Sequence, residues 1–213
     1  MFELVIFDLD GTLLNTIDDI CESLNLALSE NNLPTVTINE CKYMVGSGVK
    51  VLIEKAVKGH NEVYDEVMNK YLYHYELMQK NKTKPYEGIN EVIEYLNNNN
   101  IKVAILSNKP HEDTLRVVDY YFGLDKFAYV LGKKATNRPK PEIDGCIEIL
   151  EALDIKGKVL YIGDTGVDMK TAITAKFVAV GVTWGFRLKS ELSEANYIID
   201  EPSAIISIIE ERL

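Results

Sequence analysis

The feature that most restricts what this chain can fold into is a recurring short apolar run. Leu4–Phe7, Lys102–Leu106, Phe127–Leu131, Lys158–Ile162, Phe177–Val182 and Tyr197–Ile199 are each about five residues long and continuous in character rather than alternating. A strand with one wet face alternates apolar with polar residues, so a run without alternation predicts a strand buried on both faces. Between the runs lie helical patterns at Asn90–Asn100, Glu112–Tyr121, Glu142–Leu153, Asp168–Lys176 and Ser203–Leu213. Strand alternating with helix predicts a parallel, doubly wound α/β sheet of Rossmann-like type.

One stretch breaks that alternation. From Thr16 to about Lys82 there is no convincing strand, and three helical patterns take its place. The first, Thr16 to Glu30, carries Ile17, Ile20, Leu24, Ala27 and Leu28 on one face, and Thr16 with Asp19 reads as a capping box. The adjacent Asp18 and Asp19 read as first-turn helix electrostatics. The second opens on the Thr37/Glu40 pair, breaks at Gly46-Ser47-Gly48 and resumes through Leu52, Ile53, Ala56 and Val57. The third, about Glu62 to Gln79, aligns Val67, Tyr71, Tyr75 and Met78, which read as core of the insert rather than as ligand contacts. At 213 residues the chain is long for one small core, and this insert accounts for the excess. The expected organisation is a discontinuous α/β core, 1–14 with 84–213, and an inserted α-helical bundle, 15–83, hinged at Leu13–Asn15 and Lys82–Glu87.

Composition removes several function classes. Lys plus Arg is 23 and Asp plus Glu is 33, a net charge of −10, which argues against a binder of nucleic-acid backbone or of anionic membrane surface. No apolar stretch approaches the length of a membrane span, and the opening run meets Asp8 and Asp10 with no basic segment before it. Cys21, Cys41 and Cys146 are odd in number and widely spaced, which predicts free thiols, no zinc knuckle and a cytoplasmic setting. His60, His74 and His111 share no metal-ligand spacing and read as surface or packing residues.

In a doubly wound sheet, ligands bind beyond the carboxyl ends of the strands. The residues just past those ends are Asp8 and Asp10, then Ser107 and Asn108, then Lys140 between prolines, then Asp164 and Asp168. Carboxylates gathered in one pocket repel one another and require a cation. Hard oxygen ligands suit Mg²⁺, which keeps waters and shares phosphate oxygens. A hydroxyl and an ammonium then remain for a phosphoryl group, so the set reads as phosphoryl transfer with an Asp nucleophile.

The motifs Asp8-Leu9-Asp10-Gly11-Thr12, Ser107, Lys140 and Gly163-Asp164 with Asp168, in that order, resemble the four motifs of the haloacid dehalogenase-like phosphohydrolase superfamily. The helical insert is similar to the cap of its phosphoglycolate phosphatase branch, as are Val45-Gly46-Ser47-Gly48, Tyr86-Glu87-Gly88, Ser107-Asn108-Lys109-Pro110 and Gly181 to Phe186. The resemblance implies a Mg²⁺-dependent phosphatase acting on a small phosphorylated metabolite through an aspartyl phosphate, as a monomer or homodimer. It implies that Asp8 attacks phosphorus, that Asp10 protonates the leaving oxygen and later activates water, and that Ser107, Asn108 and Lys140 meet phosphoryl oxygens. Mg²⁺ would lie on Asp8, the Asp10 carbonyl and Asp164, and Asp168 would orient Lys140 or a bound water. In the cap, Gly46, Ser47, Gly48 and Lys50, with Lys42 beside them, are the candidate specificity residues. Pyrophosphatase, nucleotidase and sugar phosphomutase share the same core and remain alternatives, as does a phosphate-binding regulator without catalysis. A dehalogenase has no use for a proton donor at Asp10. Two positions depart from the family pattern, Ile143 where a second proline is common and Lys176 where glycine is common; neither falls on a catalytic group.

Overall fold

The computed structural model describes residues 2–211. In chain order, β1 (Phe2–Phe7) leads through β2 (Leu14–Asn15) into α1 (Ile17–Ser29), α2 (Ile38–Met44), α3 (Val49–Ala56) and α4 (Tyr64–Met78). The chain returns through β3 (Lys84–Pro85) to α5 (Ile89–Asn98), β4 (Lys102–Pro110), α6 (His111–Tyr121) and β5 (Tyr129–Lys133). It ends with α7 (Asp144–Leu153), β6 (Lys158–Gly163), α8 (Gly166–Thr174), β7 (Val178–Val182), β8 (Tyr197–Ile199) and α9 (Ala204–Ile209). The end of the helix expected to reach Leu213 lies outside the described residues.

The large sheet runs β5-β4-β1-β6-β7-β8, with every neighbouring pair parallel. Alternate residues of one strand feed two cores. Val5 and Phe7 of β1, Val103 and Ile105 of β4, and Leu160 and Ile162 of β6 pack on the face covered by α5, α6 and α9. Leu4 and Ile6, Ala104 and Leu106, and Val159 and Tyr161 pack on the other, under α7 and α8. Helices on both faces leave no strand face wet, which is why the runs lack alternation. The chain builds outward from β1 in one direction and then, from β6, in the other, so the strand ends beside β1 form the switch-point crevice.

The inserted helices carry a core of their own. Ile20, Leu24 and Leu28 of α1 meet Cys41, Leu52, Ile53, Val67, Tyr71 and Tyr75, and one residue from the far end of the chain, Phe186, joins them. Both crossings between insert and sheet meet in the antiparallel β2–β3 pair, Leu14 with Pro85 and Asn15 with Lys84, which the sequence pattern does not reveal.

The capping box expected at α1 does not form. Thr16 has helical backbone angles and its side chain makes no capping bond, whereas Thr37 and Thr165 are extended and each closes a full box with Glu40 and Asp168. Only the extended conformation aims the hydroxyl back at the third helical N–H. Asp19 is fully buried and turns to the return crossing, accepting from Lys82 N (2.9 Å), Thr83 N (2.8 Å) and Thr83 Oγ1 (2.7 Å). It is thus a tie between α1 and β3, not a first-turn charge facing solvent.

Candidate active site

Three connections bring these predicted residues to one place. Asp8 follows β1, Lys140 lies between β5 and α7, and after β6 come Asp164 and then Asp168, in the first turn of α8. Oxygens of Asp8, Asp164 and Asp168 lie within 4.8 Å of one another, and all three side chains are buried. Lys140 Nζ donates to Asp8 Oδ1 at 2.6 Å and to Asp168 Oδ1 at 2.7 Å. Asp168 is held in turn by the Thr165 hydroxyl and the Tyr161 hydroxyl.

Asp164 sits in a cradle that only glycine permits. A Cβ on Gly11 or on Gly185 would overlap its side chain, and Gly11 also needs φ +90. Phe186 N donates to Asp164 Oδ2 at 2.7 Å, and Thr12 Oγ1 reaches Oδ1 at 3.5 Å. Trp184 packs beside the sheet core and donates through Nε1 to Thr12 O, a packing role.

Electrostatically the cluster is unbalanced. Burial, partly offset by Lys140, pushes the Asp8 carboxyl up to about 7. Burial, reinforced by Asp8 and Asp168, raises Asp164 well above the ordinary carboxylate range. Burial disfavours charge on Lys140 as well, but Asp168 and Asp8 outweigh it and hold the ammonium well above its usual value. Three carboxylates against one ammonium leave two negative charges over, and an all-oxygen donor set with that excess fits a hard divalent cation.

Asp10 faces the inserted helices instead. Both its oxygens accept from Lys109 Nζ at 2.9 Å, and Lys109, itself buried, lies 4.7 Å from the centre of the Tyr75 ring. Burial pulls the Lys109 ammonium down, but Asp10 more than compensates. In the sequence Lys109 stands only within the Ser107-Asn108-Lys109-Pro110 likeness, with no role of its own, because local pattern does not show which carboxylate a lysine will be buried against. Its only signal is its place directly after Ser107 and Asn108.

Ser107 is buried, and its Oγ accepts from Lys109 N at 3.2 Å. The Asn108 side chain is a clamp between loops: Oδ1 accepts from Lys140 N (2.8 Å), and Nδ2 donates to Lys140 O (3.1 Å) and to Gly46 O (3.0 Å). Above the carboxylates lies a cavity of ≈ 50 Å³, lined by Asp8, Asp10, Ser107 and Lys109 below and by Gly46, Gly48, Leu52, Tyr71 and Tyr75 above. Tyr71 and Tyr75 therefore serve both as core of the insert and as cavity wall.

Gly46 (φ +109) and Gly48 (φ +89) bring the inserted backbone down onto the sheet's loops, where added Cβ atoms would stand 3.4 Å from Thr165 and 3.3 Å from Asn108 O. Of the other expected specificity residues, Ser47 and Lys42 are half-buried and Lys50 is exposed, and none of the three lines the cavity. The turn seats itself through glycine backbone, and α3 carries Lys50 outward on its opposite face. Cys21, Cys41 and Cys146 are free and buried, and among the described residues no helix is long and apolar enough to cross a membrane.

Residues 5–182 match the family model of the haloacid dehalogenase-like hydrolases. The chain is similar to the phosphoglycolate phosphatase of Aquifex aeolicus, at 29% identity over 212 residues and 98% and 97% of the two chains. It is 30% identical over 188 residues to that of Cereibacter sphaeroides, covering 86% of each. A predicted phosphoglycolate phosphatase from Haemophilus somnus, known as a crystal structure, superimposes with TM-score 0.91 at 25% identity over 98% of both chains. A fold built from β1 outward, four motifs converging on its crevice and these likenesses lead to one statement: the chain belongs to the haloacid dehalogenase-like hydrolase family.

Proposed function

We propose that the protein is a Mg²⁺-dependent phosphatase of small phosphate esters, with phosphoglycolate the leading substrate. The observation that carries this is the buried cluster of Asp8, Asp164 and Asp168 around Lys140, which meets a ≈ 50 Å³ cavity through Asp8. The substrate assignment draws on the phosphoglycolate phosphatases among the relatives and on the small size of the cavity. In this reading residues 15–83 form the cap domain, and the rest forms the catalytic core.

Asp8 attacks phosphorus, its carboxylate becomes an acyl phosphate and the leaving alcohol departs; water then cleaves that phosphate and restores Asp8. Asp10, two residues on, lines the same cavity, where it gives the leaving oxygen its proton and takes one from the water. Lys140 and the Ser107 hydroxyl bind phosphoryl oxygens, over which charge is spread as the bond breaks. Asp168 fixes Lys140, and Asn108 fixes the loop that carries it; any phosphate contact from Asn108 comes from its main chain, since its amide is occupied. Asp8, Asp164 and the Asp10 carbonyl would hold Mg²⁺, which would supply positive charge against the excess of the carboxylates. The closed cap keeps bulk water from the reacting group.

The test is a phosphate-release screen over small esters with Mg²⁺, using Asp8→Asn as the blank. Asp8→Asn is expected to keep the fold and to lose turnover by at least about 10³-fold, as expected when a covalent nucleophile is removed. Wild-type turnover in that variant would remove Asp8 from the role.

A further inference from the structure

The loop after β7 touches both the carboxylate cluster and the inserted helices. Phe186 gives its N–H to Asp164 and its ring to the core of the insert. The next residue, Arg187, reaches the C-terminus of α2: its Nη2 donates to Val45 O at 2.7 Å and to Tyr43 O at 3.1 Å, with the guanidinium carbon 5.4 Å from the centre of the Tyr43 ring. Carbonyls at a helix C-terminus lack partners within the helix and carry the negative end of its dipole, so a guanidinium is suited to that position. The following carbonyl, Gly46 O, is taken by Asn108. The chain then forms the Gly46–Gly48 turn that roofs the cavity.

We propose that Arg187 is a positioning residue, whose guanidinium holds the Val45–Gly48 turn in the one placement that encloses substrate. An ion pair also joins α6 to α4 of the insert, Arg116 with Glu76, but its side chains are 45% and 61% exposed. Exposed pairs contribute little, whereas the Arg187 side chain is only 10% exposed and its bond to Val45 O is partly buried. Without Arg187 the roof samples open placements. A protein whose binding-competent fraction falls to f binds substrate 1/f more weakly, yet saturating substrate recovers the closed form. The signature is therefore a raised KM with kcat retained.

The kinetic arm of the test rests on the phosphatase reading; the exchange arm does not. Arg187→Ala is expected to raise KM for a small phosphate ester by about tenfold or more while kcat stays within about twofold. Amide hydrogen exchange across Val45–Gly48 in the substrate-free protein should quicken by a similar factor. Arg187→Lys should recover part of both effects, since an ammonium can still face the α2 carbonyls but cannot span two of them and stack on Tyr43. Glu76→Gln, the control for any cap-to-core contact, should change neither by more than about twofold. Should Arg187→Ala not fold, Arg187→Gln, which keeps the stem, carries the same expectations. Unchanged KM and unchanged exchange in the Arg187 variant would overturn the proposal. So would a loss of activity fully accounted for by a smaller amount of folded protein, or an equal effect from Glu76→Gln. If the wild type hydrolyses no ester, the phosphatase reading fails, and the exchange result alone decides the role of Arg187.

Discussion

Lys109 shows how a single residue can carry more of the site than its sequence context suggests. It is an ammonium with 4% of its side chain exposed, paired through two bonds to a carboxylate at 12%. Taking one partner from a buried pair leaves the other charge uncompensated, at a cost of about 3–5 kcal/mol. Lys109→Met should therefore lower unfolding free energy in urea by about that amount. Adding Asp10→Asn to it should restore a large part, and strict additivity of the two variants would show that the pair is not coupled. Lys176 is a smaller case. It adopts φ +60 at the end of α8, where the family pattern favours glycine. A left-handed non-glycine residue costs about 1–2 kcal/mol, and glycine returns part of that as chain entropy. Lys176→Gly should thus stabilise the protein by about 0.5–1 kcal/mol in the same assay; a loss would mean that the lysine makes a compensating contact.

At the scale of elements, the inserted helices are joined to the sheet by two very short strands and one buried carboxylate. Asp19 of α1 satisfies two main-chain N–H groups and a hydroxyl of the return crossing. Asp19→Ala would strand those donors, and hydrogen bonds to a charged group are worth about 1.5–3 kcal/mol each. We expect a loss of about 3 kcal/mol in thermal or urea unfolding and faster amide exchange at Lys82 and Thr83. Exchange that stays as slow as in the wild type would assign the crossing's rigidity to the β2–β3 pair alone. The misread capping box at Thr16 and the boxes that form at Thr37 and Thr165 share a threonine followed three residues later by an acid. What separates them is backbone conformation at the first residue, and at α1 the box's would-be partner Asp19 is taken by Lys82 and Thr83 instead.

The whole molecule is folded around a local excess of negative charge, and its stability should report that. The folded protein without cation keeps a proton on Asp8 up to about 7, against an ordinary 3.8, and Asp164 is shifted in the same direction. Between those values the native state binds more protons than the unfolded chain, so stability must fall as pH rises through the window and remain lower above it. Melting in EDTA should therefore occur at a higher temperature at pH 5 than at pH 8. Mg²⁺ should reverse the ordering by stabilising the ionised cluster, by about 2.7 kcal/mol when present at 100 times its dissociation constant. No response to Mg²⁺ at pH 8 would argue against the cation site. The sequence by itself determined the α/β class and the inserted helices, because strands buried on both faces leave continuous apolar runs, and it singled out Asp8, Asp10, Ser107, Lys140, Asp164 and Asp168 as one candidate group, because ligands of such sheets bind past the ends of those runs. Only the tertiary structure decided that Lys109 is buried against Asp10, that Asp19 ties α1 to Lys82 and Thr83, that Lys50 faces away, and that Arg187 reaches α2. Each of those rests on a contact between segments distant in sequence, and local pattern carries no record of which distant groups the fold will bring within hydrogen-bonding range.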